Sequence, residues 1–160
     1  MDIVHRSDSG DEYVCGFVCS WNLSLIDKSK DYLHSTTIVF YGLSITQGDC
    51  ASHDGNDYIN LGFSGNAKGE QAMAEYLSKI NASIYVMDYD YNAPNLNHLQ
   101  DTHYLFYKTI RKRNPLTPII FISKPNFENV TQSEERSEII RQTYEKAISE
   151  GDYFVDFIDG

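Results

Sequence analysis

The chain has 160 residues, which is enough for one domain with a buried core and too few for two comfortable ones. Its 41% hydrophobic and 22% charged residues are typical of a globular protein and exclude a disordered one. The formal net charge of −10 argues against a nucleic-acid partner, because phosphate binding depends on lysine and arginine.

The first 36 residues have the weakest pattern. Residues 13–21 could form a strand and residues 23–33 are weakly patterned, so an added edge strand, a remnant of a preceding domain and a poorly ordered tail all remain open. Residues 1–10 are polar and lack the apolar core of a signal peptide. No apolar run approaches the roughly 20 residues of a membrane helix. We expect an N-terminal extension of uncertain structure over residues 1–36, without a recognisable signal peptide or a membrane span.

From Thr37 onward, short apolar runs alternate with amphipathic stretches. The apolar runs are rich in β-branched or aromatic residues and predict five strands, at residues 38–41, 58–61, 83–88, 118–123 and 153–158. The stretches between them predict helices at residues 68–80, 96–113 and 132–150. This alternation predicts a single α/β domain over residues 37–160, with a parallel sheet and right-handed crossovers. The continuous apolar character of residues 118–122 further suggests a strand that is covered on both faces.

The connection between the first two strands lacks a helix signal. Residues 49–57 show no apolar period at all. A parallel crossover needs a dozen or more residues and usually contains a helix. We therefore expect that the crossover helix here is lost or reduced to one turn.

Small, polar and glycine residues follow the predicted strands, at the edge of the sheet where ligands bind in open parallel folds. Ser44 follows the first strand, Gly65 the second and Asn92 the third. A serine hydrolase would use Ser44 as the nucleophile, and its own N–H, the Gly65 N–H and the Asn92 amide as an oxyanion hole. The alternative is a helix N-cap at Ser44, a turn glycine at Gly65 and an Asx turn at Asn92. Spacing alone leaves both interpretations open.

Three blocks of this sequence resemble the first three blocks of the SGNH (GDSL-type) hydrolases: residues 42–48 (GLSITQG), 60–66 (NLGFSGN) and 88–92 (DYDYN). The likeness is greatest to the branch whose first block reads Gly-Ser-Ser-Ile-Thr-Gln-Gly, and it covers roughly residues 38–160. The resemblance implies a flavodoxin-like three-layer sandwich with a five-stranded parallel sheet in the order 2-1-3-4-5.

The same resemblance implies a function. It makes Ser44 the nucleophile and makes Gly65 and Asn92 the other oxyanion donors. It also implies a carboxylic ester hydrolase that acts on acyl or acetyl esters, acetylated glycans among them, and that needs no metal or other cofactor. The expected partner is thus a small ester or an acetylated carbohydrate.

The sequence departs from the family pattern in three places. Leu43 stands where the family has a small or acidic residue, and the segment after Gly48 is shorter than usual. The Asp-x-x-His block that supplies acid and base in the family does not follow the fifth strand. We therefore expect a domain that is incomplete at its C-terminus and an inactive or severely weakened esterase.

The alternative is a non-catalytic acyl- or glycan-binding module. A flavodoxin-like phosphate binder is disfavoured by the acidic charge and by the lack of a glycine-rich loop with a nearby lysine.

The histidines matter because a serine hydroxyl without an adjacent base is a weak nucleophile. His53 lies in the shortened loop and is the only histidine close to Ser44 in the sequence. His103 falls on the apolar stripe of the second helix, which predicts a packed, hydrogen-bonded core residue. His98 on the same helix is predicted to be solvated.

Overall fold

The structure is a computed structural model that describes residues 3–6, 12–15, 34–43, 46, 56–123 and 132–160. The chain divides into two compact units, Met1–Asp31 and Tyr32–Gly160. In the first unit, β1 (Ile3–Arg6) pairs antiparallel with β2 (Glu12–Cys15). The strand considered for residues 13–21 is thus observed only up to Cys15 in the part of the unit that the structure describes.

The second unit contains a five-stranded parallel sheet. Its strands are β3 (His34–Gly42), β4 (Asn56–Gly62), β5 (Ile84–Asp88), β6 (Ile119–Ile122) and β7 (Val155–Ile158). They lie in the order β4-β3-β5-β6-β7, which confirms the predicted order 2-1-3-4-5. β3 is flanked on both sides, and Gly42 at its end is level with Gly62 of β4 and Asp88 of β5. The three sequence blocks therefore leave the sheet at the same height and on neighbouring strands.

Three helices with described bounds connect the strands: α1 (Gln71–Leu77), α2 (Leu96–Arg113) and α3 (Ser133–Ser149). The bounds of α2 confirm the prediction, and Asn95 caps its start by accepting a hydrogen bond from the His98 N–H at 2.8 Å. α1 is shorter than predicted. Gly69 before it has a positive φ of 74° and Glu70 is extended, so neither residue can belong to a helix.

The hydrophobic core lies between the sheet and these helices, with α2 packed between α1 and α3. Tyr41 of β3 and Phe106 of α2 stack with ring centroids 4.8 Å apart. Each buried side chain of this size contributes roughly 1.5–3 kcal/mol. The strand residues that face the helices are almost completely buried: Val39, Tyr41, Tyr85, Met87, Ile119 and Phe121.

The opposite face of the sheet is less covered in the part of the chain that the structure describes. Ile120 and Ile122 are only half-buried, whereas Ile119 and Phe121 between them are buried. Among the described residues, the expected cover of β6 is seen on one face, because α1, α2 and α3 all contribute to the same core. The predicted loss of the crossover helix concerns residues 44–55, and apart from Thr46 these lie outside the described residues.

Candidate active site

The carboxyl end of β3 passes very close to β5. A Cβ atom built on Gly42 would lie 2.4 Å from the backbone oxygen of Asp88 and 2.5 Å from Oγ1 of Thr46. Only glycine fits such an approach without a shift of the backbone. This glycine begins the segment that carries Ser44, the predicted nucleophile, which itself lies outside the described residues.

The segment after Gly42 is tied to both neighbouring strands through Thr46. The buried Thr46 hydroxyl donates to Oδ2 of Asp88 at 2.7 Å, and Asn60 Nδ2 donates to the Thr46 carbonyl at 2.8 Å. Asn60 is held in turn, because its Oδ1 accepts the N–H of Gly62 at 2.9 Å. Three residues of the three sequence blocks therefore hold one another at the sheet edge. Sequence reasoning did not assign Thr46 or Asn60 to the site, although both lie within the quoted blocks.

Gly65 and Asn92 are brought together at the same edge. The N–H of Gly65 donates to Oδ1 of Asn92 at 3.2 Å, and Nδ2 of Asn92 donates to the carbonyl of Phe63 at 2.8 Å. Gly65 has a φ of 68°, the left-handed conformation that favours glycine, within a turn in which the Asn66 N–H donates to Phe63 O at 2.9 Å. The Asn92 side chain thus bridges to a loop more than 25 residues away. An Asx turn would instead use its own backbone.

These contacts define what the pair can donate. An asparagine amide carries two N–H groups, and Phe63 O accepts one of them. The single N–H of Gly65 points at Asn92 Oδ1, so an anion that binds there must share or replace that hydrogen bond. The Gly65 N–H and the Asn92 amide thus lie side by side in the loops that follow β4 and β5. Hydrogen-bond donors held at such a place are the kind of group that can stabilise a developing negative charge.

The loop that carries Gly65 is anchored at its far end. The Tyr41 hydroxyl donates to Glu70 Oε2 at 2.9 Å and accepts the Gly69 N–H at 3.0 Å. Burial is the main reason that the pKa of Tyr41 is raised, so this hydroxyl stays protonated. His98 Nε2 lies 2.8 Å from the Lys68 carbonyl. The prediction that His98 is solvated is therefore wrong, because the loop folds back against α2 and half-buries the ring.

The turn that carries Asn92 is held from α3. It is a short 3₁₀ turn over Asp90–Asn92, in which the Asn92 N–H donates to Tyr89 O at 3.0 Å. Arg136 of α3 is buried, and its Nη1 donates to the carbonyl of Asp90 and, at 3.1 Å, to the carbonyl of Ala93. No feature of the sequence marked Arg136, since it reads as one more charge on an amphipathic helix.

Comparison with known proteins identifies the family. The sequence profile of the GDSL-like lipase/acylhydrolase family matches residues 35–152. The chain belongs to this family. The finding confirms the SGNH (GDSL-type) resemblance that the three blocks carry, and it covers β3 to the end of α3.

Solved structures agree with this assignment. The chain is 30% identical to a GDSL-like lipase from Bacteroides ovatus ATCC 8483, with a TM-score of 0.67 over 78% of this chain and 42% of that one. The salicylyl-acyltransferase SsfX3 from a tetracycline biosynthetic pathway has a TM-score of 0.68 at 20% identity, over 84% and 44% of the two chains. A family two carbohydrate esterase from Clostridium thermocellum has a TM-score of 0.60 at 15% identity, over 79% and 54%. The last two show the fold alone.

The chain spans about half the length of these solved structures or less. No match was found among curated proteins. The α/β fold with a five-stranded parallel sheet is thus the GDSL-family fold, and the family is one of hydrolases.

His103 of this GDSL-family chain is a core residue, as predicted. It is 1% exposed, its ring lies 5.4 Å from that of Tyr89 and 5.3 Å from that of Phe121, and its Nδ1 lies 3.0 Å from Oγ1 of Thr143. Burial lowers its pKa to about 3, so the ring is neutral. A ring enclosed in this way cannot take the proton of a serine at the sheet edge. The other base candidate, His53, lies outside the described residues.

A further polar cluster follows β6 and β7. Asp159 Oδ1 accepts hydrogen bonds from Ser137 at 2.6 Å and from Ser123 at 3.0 Å. These two hydroxyls lower the pKa of Asp159.

Within the described part of the chain, no group of three or more His, Cys, Asp or Glu could hold a metal ion. None of the helices described there has the length and apolar character to cross a membrane.

Proposed function

We propose that this chain carries the nucleophile and the oxyanion hole of a carboxylic ester hydrolase that acts on small acyl or acetyl esters. Ser44 Oγ attacks the ester carbonyl, the alcohol leaves, and water then hydrolyses the acyl-serine. The N–H groups of Ser44 and Gly65 and the side-chain amide of Asn92 hold the negative charge that forms on the carbonyl oxygen.

The observation that carries the proposal is the contact between Gly65 and Asn92. Their 3.2 Å hydrogen bond joins residues from two different sequence blocks, in the loops that follow the two strands flanking β3. Family membership supplies the reaction class, since the matched family is one of lipases and acylhydrolases. Ser44 comes two residues after the end of β3, the strand that lies between β4 and β5. Acetylated glycans are one substrate class within this proposal.

A base must accept the Ser44 proton. Of the two helix histidines, His103 is enclosed in the core and His98 contacts the Lys68 carbonyl, so neither fits this role. A second candidate function is a non-catalytic module that binds acyl groups or glycans at the same edge of the sheet.

The test is the hydrolysis of p-nitrophenyl acetate by the chain, by Ser44→Ala and by Ser64→Ala. Ser64 is the matched control because it is an exposed serine in the second block, beside Gly65. An esterase should lose its rate above background in Ser44→Ala and keep it in Ser64→Ala. Equal rates in all three would overturn the esterase proposal.

The binding module predicts a different result. Titration calorimetry with an acetylated sugar should then show heat of binding that survives Ser44→Ala, because the hydroxyl would have no chemical role. The absence of heat with acetylated sugars would remove this second candidate.

A further inference from the structure

The turn that presents Asn92 has little structure of its own. It spans three residues, Asp90–Asn92, and a 3₁₀ turn of this length has few internal hydrogen bonds and poorer geometry than an α-helix. Inside it, the Tyr91 N–H donates to Oδ1 of Asp90 at 2.8 Å. The position of the Asn92 amide therefore depends on contacts from outside the turn.

Arg136 supplies such contacts on both sides of Asn92. One nitrogen, Nη1, donates to the carbonyls of Asp90 and Ala93, which bracket the turn. The guanidinium carbon lies 5.2 Å from the ring centroid of Tyr91, within cation–π range. One side chain thus contacts three of the four residues from Asp90 to Ala93.

The burial of Arg136 gives these contacts their stiffness. The residue is 7% exposed, and a buried cation is tolerated only where its N–H groups are hydrogen-bonded. If the turn moved away, N–H groups of the buried guanidinium would lose their carbonyl acceptors. Moving the turn therefore costs free energy. Its helix is fixed in the core by Ile140, which is 1% exposed.

We infer that Arg136 is a positioning residue for the Asn92 amide: it links α3 to the Asp90–Asn92 turn and thereby sets the Gly65–Asn92 pair. This inference rests on the proposed function, in which that pair forms the oxyanion hole. Displacing catalytic donors by about 1 Å can cost on the order of 100-fold in rate, so anchors two residues before and one residue after Asn92 have direct consequences for the site.

The test uses NMR of the full chain labelled with ¹⁵N. In wild type, hydrogen exchange at the Gly65 N–H should be slowed by its bond to Asn92 Oδ1, although Gly65 is exposed. In Arg136→Met, we expect this exchange to accelerate about tenfold, the effect of losing one hydrogen bond. The side-chain NH₂ signals of Asn92 should move toward those of a solvated asparagine. Arg136→Lys keeps the charge and has N–H donors on a shorter stem. Its exchange rate at the Gly65 N–H should therefore lie between those of wild type and Arg136→Met.

Ile140→Val is the matched control. It removes one methylene from the core one turn further along α3, and it lowers stability without altering a polar contact. Its Gly65 and Asn92 signals should stay as in wild type. The inference is overturned if Arg136→Met leaves these signals unchanged, or if Ile140→Val alters them equally. Should Arg136→Met fail to fold, the same comparison is made with Arg136→Lys.

The two proposals fail separately. Equal p-nitrophenyl acetate rates in wild type and Ser44→Ala would overturn the esterase and leave the exchange results of Arg136→Met unaffected. Unchanged exchange at Gly65 in Arg136→Met would overturn the positioning role and leave a Ser44-dependent rate unaffected.

Discussion

Mild acid should destabilise this protein through His103. The ring is enclosed by the sheet, α2 and α3, and burial lowers its pKa from the usual 6.5 to about 3. In the unfolded chain the ring is solvated and titrates near its usual value. The unfolded state therefore binds a proton between about pH 6.5 and about pH 3 that the folded state excludes.

The sign and size of the effect follow from this difference. Above about pH 6.5, neutral His103 makes its full contribution to the free energy of unfolding. Below that pH, the free energy of unfolding falls by about 1.4 kcal/mol per pH unit as the pH decreases toward 3. At about pH 5 the loss from this one residue reaches about 2 kcal/mol. That is a large part of the stability of a small domain.

The measurement is urea unfolding at about pH 7.5 and about pH 5, in wild type, His103→Asn and Thr143→Val. Asparagine cannot titrate and places a polar atom where Nδ1 stood, 3.0 Å from the Thr143 hydroxyl. His103→Asn should thus lose about 2 kcal/mol less than wild type between the two pH values. Carboxylates that titrate in this range contribute equally to both proteins.

Thr143→Val distinguishes the effect of burying the His103 ring on the pH dependence from the effect of its hydrogen bond on stability. It removes the hydroxyl but keeps a buried, titratable ring, so it should be less stable at both pH values and retain the pH dependence of wild type. If wild type and His103→Asn lost the same stability on acidification, the reasoning from burial would be refuted.

Three further substitutions test the packing around the site and the opposite end of the sheet. Gly42→Ala should lower the free energy of unfolding by about 1–3 kcal/mol in urea, since its Cβ would lie 2.4 Å from Asp88 O. Gly151→Ala, which has open space but a φ of 86°, should lose only about 1 kcal/mol, and a larger loss there than at Gly42 would contradict the packing argument. Asp152→Asn should cost about 3 kcal/mol, because it leaves the buried Arg111 guanidinium, now paired at 2.6 Å, without its counter-charge. An unchanged urea midpoint in Asp152→Asn would show that this pair contributes nothing.

Local pattern was sufficient for the elements of the fold. The apolar stripe through Leu99, His103 and Phe106 predicted α2 to its last residue, and it also predicted that His103 is buried. α1 was predicted too long because Gly69 and Glu70 depend on tertiary contacts with Tyr89 and Tyr41, which no local pattern contains.

The candidate site was predictable where its residues lie within a motif. Gly65 and Asn92 were named from the second and third blocks, and the structure places them in contact. His98 was misjudged because its neighbour, the loop at Lys68, is 30 residues away along the chain. Arg136 was missed for the same reason, since its carbonyl partners lie more than 40 residues before it.

The sequence by itself determined the alternation of strands and helices, the identity of the family and the residues that stand after each strand. Periodicity and short motifs carry that information because they depend on neighbours within a few residues. Only the tertiary structure decided which of these residues meet. The sheet order places β4 and β5 on either side of β3, so that Gly65 faces Asn92 and Arg136 reaches the turn beside them. Such contacts join residues far apart in the chain, and their distances are set by the packing of the whole core.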